Sequence, residues 1–270
     1  MPSGNASVFD QDLNPVIKAC SNEELQYLVD LLTGTFTNFL TLEEDFEKYY
    51  PDHQKYADLI ASHIRMFGGN SLANAARGLW TSLRGKETVS SKGPQYRKIV
   101  SDVAKKLKVE FNKKNETKDL EFLILKKVFE KYLQNATEEQ KKKLLEESKK
   151  DISKGTDNTI RHIISGGGLT TTAALMKLLS ADGSLASLRL ATTASHHLLR
   201  HMVGRALPDA VTFSCSSMLG IFGGPLLWAP SAIWSLLDLS SPASRITVPA
   251  VIYVAILRRM QQVKQQGENV

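Results

Sequence analysis

Residues 210–237 run for 28 positions without one charged side chain: AVTFSCSSMLGIFGGPLLWAPSAIWSLL. Apolar surface is worth about 25 cal/mol per Å² when buried, so a stretch of this length calls for cover, from protein or from lipid. A helix that crosses the roughly 30 Å hydrocarbon core of a bilayer wants about 20 apolar residues. Gly223-Gly224-Pro225 divides the stretch into two short halves, each well under that length, and neither a glycine pair nor a proline suits a helix interior. The pattern predicts a helical hairpin, buried in the protein or inserted into lipid after a rearrangement, and not a straight transmembrane helix.

The rest of the chain differs. Up to Ile160 there are 25 Lys/Arg and 24 Asp/Glu, close to one charged side chain in every three positions. From Arg161 onward there are 9 Lys/Arg and 4 Asp/Glu, close to one in every eight. Most of the formal net charge of +6 therefore sits with the apolar part. Cations beside apolar helices suit an anionic lipid surface. A nucleic-acid face wants clustered Lys/Arg with stacking aromatics. Here the Lys141–Lys143 run is matched by Glu138, Glu139, Glu146 and Glu147, the look of a solvated helix face, and nucleic acid is not the expected partner.

A chain of 270 residues holds one large or two small domains. Cys20 and Cys215 stand far apart and make no disulfide framework, in keeping with a reducing compartment. No basic n-region or apolar h-region opens the sequence, so no signal peptide is visible. The expected location is intracellular and cytoplasmic, with a peripheral or inserted membrane form.

Helix signals recur along the chain. Ser21 and Glu24 frame a capping box, and Leu25, Leu28, Val29, Leu31 and Leu32 follow at helical spacing. Asp52 is placed to cap a helix to Phe67 with Tyr56, Leu59, Ile60 and Ile64 inward. Further helices are predicted over 70–83, over 96–109 (Ile99, Val100, Val103 and Leu107 inward) and over 119–134 (Leu120, Leu123, Ile124, Val128 and Phe129 inward). Thr137 caps a charged helix ending near Lys150. Segments 169–179, 185–207 and 248–264 read as helices too, the last with Pro249 in its first turn. The one β-like run, 245–256, contains that proline, which a central strand does not tolerate.

The expected fold is all-α: a multi-helix bundle with an apolar C-terminal helical hairpin. The divisions read from the sequence are an N-terminal helical module over 1–50, a charged amphipathic domain over 51–152, a joint over 153–168 and an apolar domain over 169–270. Gly166, Gly167 and Gly168 read as a hinge. A phosphate-cradling loop would need a preceding strand and a Lys-Ser/Thr, which are absent.

Few groupings could carry chemistry. His197 and His201 have helical ligand spacing, with His162 and His196 close in sequence, but no carboxylate or cysteine supplies a third ligand. Protonation of the cluster would make a pH switch. Asp45, Asp52, His53 and Asp58 gather around Pro51 and admit a metal, with capping the simpler role for Asp52. Ser214, Ser216 and Ser217 lack a nucleophile elbow. No catalytic, cofactor-binding or metal-binding residue is assigned, and a non-enzymatic role is expected. Phe222, Trp228 and Trp234, and Tyr253 beside Arg258 and Arg259, have the aromatic and basic pattern of an interfacial anchor. Arg200, Arg205 and Arg245 complete the cations expected at anionic headgroups.

Several stretches occur in a familiar order: Tyr50-Pro51-Asp52-His53, then Phe67-Gly68-Gly69-Asn70-Ser71-Leu72-Ala73-Asn74, Lys106-Leu107-Lys108-Val109 with Asn112-Lys113-Lys114, and Gly204-Arg205-Ala206-Leu207. Phe222-Gly223-Gly224-Pro225, Trp228-Ala229, Ile233-Trp234 and the segment 241–252 complete it. Over residues 15–260, roughly, the chain resembles the YaaW-like family of bacterial proteins, grouped by name with ubiquinol–cytochrome c chaperones. It departs from that pattern around Glu87–Gly93 and over Thr170–His201. The resemblance implies an all-helical fold and brings no catalytic residues with it.

Two roles follow. In the first, the charged helices keep the 210–237 hairpin soluble until the glycine joint lets it swing to an anionic membrane, where pore formation and homo-oligomers are accessible. In the second, a soluble assembly chaperone or adaptor holds a client protein helix against the same apolar surface.

Overall fold

The computed structural model of the chain describes residues 9–34, 39–68, 93–152, 170–180, 185–203 and 243–265. Among them every regular element is a helix. They are α1 (Asn14–Lys18), α2 (Asn22–Leu32), α3 (Glu44–Tyr49), α4 (Ala57–Phe67), α5 (Tyr96–Lys106), α6 (Thr117–Asn135), α7 (Glu138–Ile152), α8 (Thr171–Leu179), α9 (Leu185–Val203) and α10 (Ser244–Gln265). Short 3-10 turns occur at Leu40–Leu42 and His53–Tyr56. The chain divides into two compact units, Met1–Glu121 with Leu237–Val254 and Phe122–Leu236 with Ala255–Val270. Helices α6 and α10 each contribute residues to both units.

In the first unit α1 and α2 pack against α4. The capping box forms as the sequence predicts: Ser21 Oγ accepts from the Glu24 amide at 3.2 Å, and the Ser21 amide donates to Glu24 Oε2 at 2.8 Å. Leu25, Leu28, Val29, Leu31 and Leu32 are all buried. Asp52, by contrast, does not cap the turn it precedes. Its carboxylate accepts from Asn22 Nδ2 at 3.2 Å and pairs with Lys55 at 3.0 Å, so a lysine two residues beyond the turn's start competes for the capping oxygen. The turn itself is a 3-10 segment, and α4 proper starts at Ala57. At the far end of α4 a side chain on Gly68 would sit 2.3 Å from the Ile99 side chain, so the close approach of these helices requires glycine.

Helix α5 buries Ile99, Val100, Val103 and Leu107, the spacing expected. It ends in a Schellman turn: Val109 N donates to the Ala104 carbonyl at 2.9 Å and Lys108 N to the Lys105 carbonyl at 3.0 Å. Lys108 takes a left-handed φ of 58° to close it. The loop that follows is braced locally. Asn112 Oδ1 accepts from the Lys114 amide at 3.0 Å, and Asn115 Oδ1 from the Asn112 amide at 2.7 Å.

Helix α10 begins at Ser244, earlier than expected, which puts Pro249 in its second turn. Proline has no N–H to offer the carbonyl four residues back. Burial on every side, from Ile246 to Leu257, holds the helix together despite this.

In the second unit α7, α8 and α9 pack on one another. Thr137 caps α7 as predicted, its Oγ1 accepting from the Gln140 amide at 3.2 Å, and Thr170 does the same for α8 through Ala173 at 3.2 Å. Helix α9 buries hydroxyls among its apolar residues. Ser187 Oγ donates to the Leu179 carbonyl at 2.5 Å and Thr192 Oγ1 to the Leu188 carbonyl at 2.8 Å, which satisfies polar groups that would otherwise oppose burial. Leu59 and Leu123, expected inward, are only half-buried.

Among the described residues no helix is long and apolar enough to cross a membrane. The predicted helix over 70–83, the joint with Gly166, Gly167 and Gly168, and the hairpin over 210–237 lie outside the described residues.

Candidate functional site

The first unit holds a proton-ordered chain around His53. Asp30 Oδ1 can only accept, so the Gln26 amide nitrogen, 2.9 Å away, must point at it. Gln26 Oε1 then faces His53 Nε2 at 2.8 Å, which makes Nε2 the protonated ring nitrogen. His53 Nδ1 is left as an acceptor, and Tyr56 Oη donates to it across 2.5 Å. The ring is buried, 1% exposed, and meets Tyr50 at a tilt and Tyr56 edge-on, with Phe46 packed against Tyr56. Burial pushes the His53 pKa below its ordinary 6.5, outweighing the upward pull of Asp30 and Asp52. Burial also raises the Tyr56 hydroxyl, so its proton stays on oxygen.

The sign of the pH effect follows. Above pH 6.5 His53 is neutral folded or unfolded and its contribution is fully present. As pH falls through 6.5 toward the lowered folded value, the unfolded chain binds a proton that the folded chain resists, and stability is lost. Thermal melts between about pH 7 and pH 5 should show a drop in Tm that is smaller in His53→Gln. An equal drop in both proteins would remove His53 from the account.

A second buried polar cluster centres on Asp10. Its Oδ1 accepts from the amides of Asp12 at 3.0 Å and Leu13 at 3.1 Å, and its Oδ2 from the Tyr96 amide at 2.7 Å. One carboxylate thus serves both the turn into α1 and the first turn of α5. Arg65 Nε lies 3.6 Å from the same Oδ2. Arg65 also donates through Nε to the Pro94 carbonyl at 2.9 Å and through a terminal nitrogen to the Gly93 carbonyl at 3.0 Å. A side chain on Gly93 would come within 2.7 Å of the Arg65 backbone, so only glycine lets the segment before α5 lie this close.

Other sequence candidates scatter. Asp58 pairs with Lys18 at 2.8 Å and accepts from Asn14 at 2.7 Å, away from the roles a metal would need. Among the described residues no group of three His, Cys, Asp or Glu is placed to hold a metal. His196 is buried, 8% exposed, while His162 lies outside the described residues and nothing is described of the His197, His201 and Arg200 side chains on α9. Phe222, Trp228, Trp234 and Arg205 are outside the described residues as well.

The described residues of the anchor pattern divide. Tyr253 is fully buried in the first unit. Its hydroxyl donates to the Glu24 carbonyl at 2.7 Å and its ring lies 4.5 Å from that of Tyr27. Burial raises its pKa well above the usual phenol value. Arg259 is 6% exposed in the second unit, donating to Ser187 Oγ at 2.7 Å with its guanidinium carbon 4.7 Å from the Phe122 ring centroid. In this conformation neither reaches a headgroup, because each is a polar tip satisfied inside a core. Arg258 is half-buried and Arg245 exposed.

The described residues define an all-α protein in which Asp10, Tyr253 and Arg259 are buried and hydrogen-bonded. A UPF0174 protein of Helicobacter pylori strain J99 is 31% identical to it over 267 residues, covering 97% of this chain and 96% of the relative. The UPF0174 protein YaaW of Escherichia coli strain K12 is 30% identical over 269 residues, covering 95% and 97%. A UPF0174 protein of Helicobacter pylori strain 26695 is 28% identical over 220 residues, covering 81% and 95%. No family model matches the chain, and no solved structure does. The chain belongs to the UPF0174, YaaW-like family.

Proposed function

We propose that this protein is a non-enzymatic helical protein that binds an anionic membrane surface through its uncharged segment, residues 210–237. One observation supports this most. The uncharged run is followed within a few residues by Arg245, exposed in the first turn of α10, and every residue from Ile246 to Leu257 is buried. An apolar segment with two tryptophans is thereby tethered to an anchored helix, with a cation at the junction, the order of groups met on passing from acyl chains to headgroups to water.

The adaptor reading draws on a different feature. No residue of α3 is buried, and Leu42 (62%) and Tyr50 (55%) are exposed beside it, which offers a partner an aromatic surface among acidic residues.

Co-sedimentation with vesicles of phosphatidylserine in phosphatidylcholine separates the two. The full chain should pellet with vesicles, and Trp228→Lys with Trp234→Lys should stay in the supernatant at an unchanged Tm. Equal pelleting of both proteins would remove the uncharged segment from the interaction. Reversal of Arg258 and Arg259 is the poorer test, because a carboxylate at Arg259 would sit unpaired in the second unit's core.

A further inference from the structure

We propose that α5 and the loop after it form the face that reads the headgroups of an anionic membrane, an inference that rests on the membrane reading above. Residues 96–114 hold seven Lys/Arg against two Asp/Glu, a net of +5 in a chain whose formal net charge is +6. One of the two acids, Asp102, is already engaged by Lys98 at 2.7 Å and Lys105 at 3.6 Å. Lys108, Lys113 and Lys114 are exposed, and no ion pair among the described residues engages them.

The backbone that carries Lys113 is held in place. Arg97, in the first turn of α5, donates to the Lys113 carbonyl at 2.7 Å, so the loop doubles back to the start of the helix. A loop whose backbone is fixed in advance loses less on binding. Lys108 adds a second observation. It occupies the left-handed position after the helix, φ 58°, where glycine costs least. A lysine there carries strain that glycine would relieve, and it adds a cation to the basic stretch.

Position and chemistry choose the partner. Lys106 Nζ donates to Ser244 Oγ at the start of α10, so this end of the basic stretch lies, within the first unit, beside the first turn of α10, a few residues after the uncharged run in sequence. A face for single-stranded nucleic acid would need exposed aromatics for base stacking. Within 96–114 the aromatics are Tyr96, fully buried, and Phe111, half-buried. A bilayer asks only for density of charge beside apolar chain.

The test uses the full chain with phosphatidylserine-containing vesicles and with phosphatidylcholine vesicles. A cation near such a surface contributes about fivefold, so Lys108→Gln, Lys113→Gln and Lys114→Gln together should weaken binding to the anionic vesicles on the order of 100-fold. Lys108→Gly alone should raise Tm by about 2–4 °C and still weaken that binding about fivefold. A triple variant that binds like wild type overturns the basic face while leaving the membrane reading intact, and wild-type binding to the two kinds of vesicle with equal affinity overturns the basic face together with the anionic preference of that reading. A wild-type chain that binds no vesicle at any salt overturns both. Tighter wild-type binding to an RNA duplex than to vesicles, lost in the triple variant, assigns the face to nucleic acid and overturns the lipid proposal.

Discussion

Asp10→Ala is expected to destabilise the fold by about 3–5 kcal/mol, the usual cost of leaving one member of a buried ion pair alone. Asp10 and Arg65 are 7% and 4% exposed. Without the carboxylate, the amides of Asp12, Leu13 and Tyr96 lose their acceptor, and the guanidinium loses its carboxylate partner while keeping the Gly93 and Pro94 carbonyls. Asp10→Asn keeps an oxygen for part of the amide set but not the charge, and should fall between. Domains of ordinary stability have about 5–15 kcal/mol in hand, so the alanine variant should melt far below wild type by circular dichroism. A loss under about 1 kcal/mol would mean that the pair behaves as a surface pair does and does not pin the first turn of α5.

Tyr253→Ala should cost about 3–5 kcal/mol, the range for removing a large buried aromatic. Tyr253→Phe should cost about 1 kcal/mol or less. The phenylalanine ring keeps the contact with Tyr27, and the Glu24 carbonyl that loses the hydroxyl still serves the ladder of α2. The ratio of the two losses, read from urea denaturation, separates a packed core aromatic from an interfacial one. An exposed anchor would give small losses in both variants and a large loss of vesicle binding.

What could be read from the residues, and what could not, follows from the range of the interactions. Ser21 with Glu24 and Thr137 with Gln140 are three-residue patterns, and both caps formed where the sequence put them. The buried face of α5 followed from spacing alone. The Asp10–Arg65 pair joins residues far apart along the chain; the local pattern of Asp10 with the Asp12 and Leu13 amides marks a turn and says nothing of Arg65. Tyr253 was ambiguous for a different reason: an aromatic next to two arginines looks the same whether its ring meets lipid or Tyr27. The basic stretch 96–114 was visible in composition but diluted when the chain was divided at Ile160, where the acidic residues of α2 and α3 offset it. Only the structure shows that Arg97 ties the loop back to the start of α5 and that Lys106 meets the start of α10.

The membrane reading is tested most directly by the chain's own fluorescence. The three tryptophans are Trp80, Trp228 and Trp234, so a Trp80→Phe variant reports on the uncharged run alone. On mixing with phosphatidylserine-containing vesicles its emission should shift to shorter wavelength, and lipids brominated along the acyl chain should quench it. Emission that neither shifts nor quenches, at vesicle concentrations that pellet the protein, would contradict insertion of residues 210–237 and leave the headgroup face as the whole of the membrane contact.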